Sequence, residues 1–214
     1  MPIAGAGAEN QSSSQSAVRP MLPDDLPQVV EAHLESFPGF FLTFLGRDFL
    51  ALLYDSIRTD AQGVVLVAAT GETVDGFVAG VTEQNGFYRR LISKRKWAFA
   101  LASIKGFLKR PAIAPRLLRA LKRPEESNTT SAAACLMSIG VRPAAQGRGV
   151  GKLLVEAFCS EMAKRRVSSV CLTTDRDDND ETNRFYRKLR FRLTRTVITP
   201  EGRALNEYLI NIEQ

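Results

Sequence analysis

The run AAACLMSIGV at residues 132–141 is the most restrictive stretch of the chain. It is almost continuously apolar instead of alternating, which suits a strand covered on both faces and therefore a sheet with helices above and below it. Pro143 then ends strand pairing, and QGRGVGK, residues 146–152, opens an amphipathic run with Val150, Leu153, Leu154, Ala157, Phe158 and Met162 on one helical face. A helix N-terminus leaves up to four backbone N–H groups without partners and carries about half a positive charge, and glycine lets the backbone close on an anion. Strand, glycine turn and helix therefore read together as a cradle for phosphate. The alternative is a tight strand-to-helix turn with no ligand.

Two familiar phosphate loops are excluded by spacing. Counting back from Gly151-Lys152, a Walker loop would need glycine where Gln146 stands and a hydroxyl where Leu153 stands. A dinucleotide fingerprint needs Gly-x-Gly-x-x-Gly, whereas the glycines here are 147, 149 and 151, with no suitably placed strand and acid downstream. Neither a nucleoside triphosphatase nor a dehydrogenase is supported.

Elsewhere PDDLPQVVEAHLESF predicts a helix capped by Asp24 or Asp25, and residues 41–57 predict a second. Residues 64–70, VVLVAAT, and 73–83, TVDGFVAGVTE, turn on Gly71-Glu72 as an antiparallel hairpin. After the glycine turn and its helix come a strand SSVCLTTD, a helix DNDETNRFYRKL and two closing strands, FRLTRTVIT and ALNEYLINI. The order β-α-α-β-β, insertion, β-α-β-α-β-β predicts a mixed α/β sheet with helices on both faces. We expect one domain over residues 18–214, preceded by a disordered Ala/Gly/Ser/Gln-rich tail over residues 1–17 that carries no targeting signal.

Charge is unevenly distributed. Of the 29 Lys and Arg residues, twelve lie between Asn85 and Arg123, a stretch without Asp or Glu, so the net charge of +6 belongs to that segment. Its pattern predicts a basic helical insertion over about residues 86–125 that would attract an anionic partner or rest peripherally on an anionic membrane. No recognition motif accompanies it, so nucleic acid is not expected as a partner. No apolar run reaches membrane-spanning length. The three cysteines, Cys135, Cys159 and Cys171, lack metal-ligand spacing, and the single histidine, His33, cannot complete a site with them. A reducing, cytoplasmic setting with no metal is the expectation.

The pattern Val-x-Pro-x-x-Gln-Gly-x-Gly-x-Gly, Val141 to Gly151, resembles the acyl-CoA-binding motif of the GCN5-related N-acetyltransferase (GNAT) superfamily. A second stretch, Asn179 to Phe191, is similar to that family's Asn-x-x-Ala-x-x-Phe-Tyr-x-x-x-Gly-Phe, with Thr182 in place of alanine and Arg190 in place of glycine. The resemblance implies a mostly antiparallel sheet whose central strands splay apart. It implies acetyl-CoA as donor, its pantetheine arm against Ile139, Gly140 and Val141, and its pyrophosphate on Gln146, Gly147, Arg148, Gly149, Val150 and Gly151. Asn179 and Asn183, four apart on one helical face, would reach the arm; Asn179 can equally be a helix cap.

Acetyl transfer to an amine needs a deprotonated amine, a stabilised oxyanion and a proton or hydrogen bond for the departing thiolate. The resemblance gives the last role to Tyr186, a backbone N–H near Val141 is the oxyanion candidate, and Glu83 and His33 are the candidate bases. ESFPGFFLTFLG, residues 35–46, together with the basic insertion looks like relatives that act on amino sugars. The expected acceptor is therefore the primary amine of a small molecule, an amino sugar or its nucleotide-linked form. A protein N-terminus or lysine, and a non-catalytic acyl-CoA-binding regulator, are the alternatives. A homodimer is a further expectation.

Overall fold

The apolar runs become strands and covering helices in the computed structural model of the chain, which describes residues 16–84, 86, 87, 90, 97–99, 101, 102, 133–200 and 202–212. In chain order these are β1 (Ala17–Pro20), α1 (Leu26–Ser36), α2 (Phe41–Leu45), α3 (Arg47–Thr59), β2 (Gly63–Thr70), β3 (Thr73–Val81) and β4 (Ala133–Val141). There follow α4 (Val150–Lys164), β5 (Ser169–Asp175), α5 (Asp180–Lys188), β6 (Arg192–Ile198) and β7 (Ala204–Asn211). The seven strands form one sheet in the order β1-β2-β3-β4-β5-β7-β6. Every neighbouring pair is antiparallel except β4 with β5, which is parallel.

Strand alternation sorts the core into two layers. Val65 and Val67 of β2, Phe77 and Ala79 of β3, and Cys135 and Cys171 pack with Val29, Leu50, Tyr54 and Ile57 of α1 and α3. Val64, Leu66 and Ala68 of β2, with Leu136, Leu172 and Tyr208, pack on the other side against Leu154, Phe158 and Met162 of α4 and Tyr186 of α5. Burial on both faces runs along β2 and β3 almost throughout, and along β4 at Ala134, Cys135, Leu136 and Gly140.

Several expectations change. The helix read over residues 41–57 breaks at Gly46, whose φ of 89° and ψ of 176° only glycine adopts readily, so α2 and α3 are separate. Asp25 occupies the N-cap position of α1 without capping it; its carboxylate accepts the Leu22 N–H at 2.7 Å and pairs with Arg19. The sheet also begins earlier than read: Ala17 is in β1, and the Ser16 hydroxyl donates to Asp75 at 2.7 Å. The basic insertion over residues 86–125 lies largely outside the described residues. Of those described in it, Phe87 and Phe99 are buried in the α1/α3 layer and Trp97 is exposed.

Candidate functional site

The site begins with a break in the sheet. Strands β4 and β5 pair only at Ala133 with Ser169, Ala134 with Val170 and Cys135 with Cys171. Beyond that vertex β4 continues to Val141 alongside β3, while β5 continues to Asp175 alongside β7. A wedge therefore opens between the two strands, and from Leu136 to Val141 β4 has no strand neighbour on that side among the described residues. A strand edge of this kind offers N–H and C=O groups to any extended ligand with amides of its own. On its β3 side β4 carries a bulge at Met137, because Ala79 faces Ser138 and Gly80 faces Leu136.

The open end of the wedge leads into the glycine turn. A short 3₁₀ turn, Pro143–Ala145, reverses the chain, and Gln146 folds back so that its amide donates to the Val141 carbonyl at 3.2 Å. Gly147 and Gly149 then take left-handed backbone, φ 75° and 82°, with no atom near the place a side chain would fill. Gly149 is the N-cap of α4 and supplies no side-chain cap, so the first N–H groups of that helix face outward at an exposed turn. Gly151 differs: a Cβ there would sit 3.5 Å from Phe185, an ordinary contact. Arg148 is exposed beside the turn, and Lys152 pairs loosely with Glu156 at 3.7 Å, a helix-surface charge.

On the opposite arm, Asn179 and Asn183 fasten α5 to the end of β5. The Asn179 amide donates to Thr174 Oγ1 at 2.7 Å and to the Asp175 carbonyl at 3.1 Å. Buried Asn183 donates to the carbonyls of Asp175 and Asn179 and accepts from Asn206 and the Tyr208 hydroxyl, both at 2.9 Å. Its polar capacity is spent inside the protein, where Asn183 shapes the arm of the wedge. Tyr186 packs its ring between Phe185, Phe191 and Tyr208. Burial pushes its phenol well above the ordinary value, so it stays protonated.

The two candidate bases are not brought together. His33 is buried in the α1/α3 layer against Phe37 and Phe77, and its Nδ1 bonds the Tyr54 hydroxyl at 2.7 Å. Burial pushes its pKa down to about 4, so the ring is neutral at ordinary pH. Tyr54 in turn bonds Ser138 on β4 at 3.1 Å, which ties His33 to the wedge through two hydroxyls. Glu83 is exposed, accepts from Gln62 at 2.9 Å, and lies beyond Val81, which faces Cys135 at the closed end. It does not border the opening.

Sequence reading missed the groups that do gather at the vertex. Cys135 and Cys171 face one another there as buried free thiols. Their mutual hydrogen bond raises the Cys135 thiol, with burial and the nearby Glu207 carboxylate acting the same way, and lowers Cys171 against both. Glu207, buried on β7, pairs with Arg195. A glutamate in ALNEYLINI carries no motif. Only the alternation of Glu207 with buried Tyr208, once β7 was placed beside β5, would have marked it as inward-facing.

Comparison with known proteins agrees with this geometry. The model of the acetyltransferase (GNAT) family matches residues 26–191. No curated protein matches the chain. Among solved structures, Ard1 from Thermoplasma volcanium is similar in fold at 19% identity and a TM-score of 0.59, over 94% of this chain and 99% of that one. The ribosomal-protein-S18-alanine N-acetyltransferase from Escherichia coli is similar at 14% identity and TM-score 0.57, over 93% and 95%. A histone acetyltransferase HPA2-related acetyltransferase from Corynebacterium glutamicum is similar at 16% identity and TM-score 0.62, over 94% and 98%.

Proposed function

The chain belongs to the acetyltransferase (GNAT) family, and from that premise we propose that it moves the acetyl group of acetyl-CoA to the primary amine of a small molecule, an amino sugar or nucleotide-linked amino sugar, by direct attack. The observation that carries the reading is the wedge between β4 and β5 ending at an uncapped helix N-terminus. Its two halves answer the two chemistries of coenzyme A: a strand edge for the amides of pantetheine and outward N–H groups with empty glycine faces for the diphosphate.

With the diphosphate at Gly147–Gly151 and the arm along Ile139–Val141, the thioester falls toward the vertex. The oxyanion donor is then a backbone N–H near the Met137 bulge, not one near Val141, where the arm is already paired. Tyr186 donates a hydrogen bond to the departing sulfur. His33 is too costly to charge to act as a base, and Glu83 is too far toward the closed end, so the amine loses its proton through water.

The small-molecule acceptor is supported by the end of α1. The Ser36 hydroxyl donates to the Val141 carbonyl at 3.2 Å, which brings the aromatic pair Phe37 and Phe40, 5.4 Å apart, beside the mouth. Phe40 is exposed, a flat apolar face of the kind sugar rings stack on. Thiol release from acetyl-CoA tests the proposal with a panel of amino sugars, amino-sugar nucleotides, and peptides with free N-termini or lysines. Release with the sugars alone is expected. Release with peptides alone would move the acceptor to protein, and tight coenzyme binding without release with any amine would overturn the transfer reading.

A further inference from the structure

We infer that the carboxylate of Glu207 is the anchor that holds the acceptor's ammonium group beside the vertex of the wedge, on the face of the sheet that carries α1 and α3. The inference rests on the acetyl-transfer reading and adds to it the residue that selects a cationic amine.

Register places Glu207 there. β7 runs beside β5 with Leu209 opposite Cys171 and Glu207 opposite Thr173. Cys171 is the last residue of β5 that pairs with β4, so Glu207 stands one side-chain repeat beyond the vertex, toward the opening. Leu209 and Cys171 pack in the α1/α3 layer while Tyr208 packs in the other, so alternation turns Glu207 to the α1/α3 side. Its charge is felt by both vertex thiols, an independent sign of proximity.

Among the described residues the carboxylate also has an unused face. Arg195 approaches one oxygen, Oε2, with Nε at 3.2 Å and Nη2 at 3.0 Å. The other, Oε1, has one long contact among the described residues, 3.4 Å from the Thr194 hydroxyl, and that hydroxyl lies closer to the Glu207 carbonyl, at 3.0 Å, with one proton to give. Glu207 is only 7% exposed, and a buried carboxylate oxygen with spare acceptor capacity is costly unless something donates to it. An ammonium supplies both the donor and the compensating charge. Because a carboxylate favours the charged form of its partner, Glu207 anchors the amine and does not deprotonate it.

The acceptor need not be known to test this. Two thioethers of coenzyme A, one carrying an aminopropyl group and the other a butyl group of the same shape, are compared by calorimetry at low salt. Wild-type protein should bind the aminopropyl thioether about tenfold more tightly, the scale of a hydrogen bond to a charged group. Glu207→Gln should bring the two affinities together, and Arg195→Gln, which removes the competing cation, should widen the preference. A merely structural Glu207–Arg195 pair predicts no preference in the wild type and parallel losses in both variants. If Glu207→Gln does not fold, the wild-type preference and the opposite effect of Arg195→Gln still decide. Equal affinities in the wild type overturn this inference alone; failure to bind either thioether or coenzyme A overturns it together with the acetyl-transfer reading.

Discussion

Arg190 holds left-handed backbone, φ 66°, at the position where the motif it resembles has glycine. Its N–H closes the end of α5 on the Arg187 carbonyl at 3.0 Å, and the exposed side chain leaves little packing to lose. An L-residue there costs roughly 1 kcal/mol that glycine avoids, partly offset by glycine's greater freedom in the unfolded chain. Arg190→Gly should therefore raise the thermal midpoint by about 2–3 °C in calorimetry. His33 makes a prediction of opposite character. Its folded pKa near 4 lies below the ordinary 6.5, so between those values the unfolded chain binds the extra proton. The stability gained by keeping the ring neutral is complete above pH 6.5 and is lost as pH falls toward 4, by about 3 kcal/mol in all. Denaturant titrations across that window should show the slope, and His33→Phe should flatten it. A reading of residue types alone could not foresee this: HLESF shows a histidine near apolar neighbours, and only the closure of Phe77 and Tyr54 over its ring makes it a core residue.

Among the elements, the glycine turn was legible because its constraint is local. Left-handed backbone at Gly147 and Gly149 is demanded by the turn itself, and the sequence announces it. The three glycines are nonetheless unequal. Gly149→Ala forces an alanine into φ 82° with open space around it, so strain of about 1 kcal/mol and a turned helix N-terminus should lower the thermal midpoint and weaken coenzyme A binding by tenfold or more. Gly151→Ala meets only ordinary contacts and replaces glycine in the first turn of α4, so the fold should be as stable or more so, by up to about 1 kcal/mol. Paired melting curves and calorimetric titrations check the split. Helix boundaries were less legible. FLTFLGRDFLALL keeps helical spacing straight through Gly46, and the break is decided by a backbone angle that periodicity does not encode. Asp25 likewise looked like a cap until Arg19, on the adjacent strand, took its carboxylate.

At the scale of the whole molecule, the wedge depends on pairing that no single segment specifies. AAACLMSIGV and SSVCLTTD each read as strands, yet after Cys135 and Cys171 they part, β4 staying with β3 as far as Val141 and β5 staying with β7 as far as Asp175. Register also decides that Glu83 sits beyond the closed end and Glu207 just inside the wedge, one side-chain repeat past the vertex. The same geometry gives an experiment that looks past any one side chain. In the free protein, the amides of β4 from Leu136 to Val141 that point away from β3 have no strand neighbour among the described residues, so they should exchange with solvent faster than those of β2 and β3, which are paired on both sides. An arm lying along that edge would protect them, while a diphosphate held at the helix end would protect the first amides of α4. Hydrogen exchange with and without coenzyme A should therefore slow two short stretches, 136–141 and 147–152, and leave β1, β2 and the vertex pairs unchanged apart from the uniform gain that ligand binding gives global stability, about 2.7 kcal/mol at a hundredfold excess over Kd. Protection confined to 147–152 would mean that the glycine turn holds phosphate without the strand edge. Protection spread evenly over the sheet would mean that the wedge is not where the ligand lies.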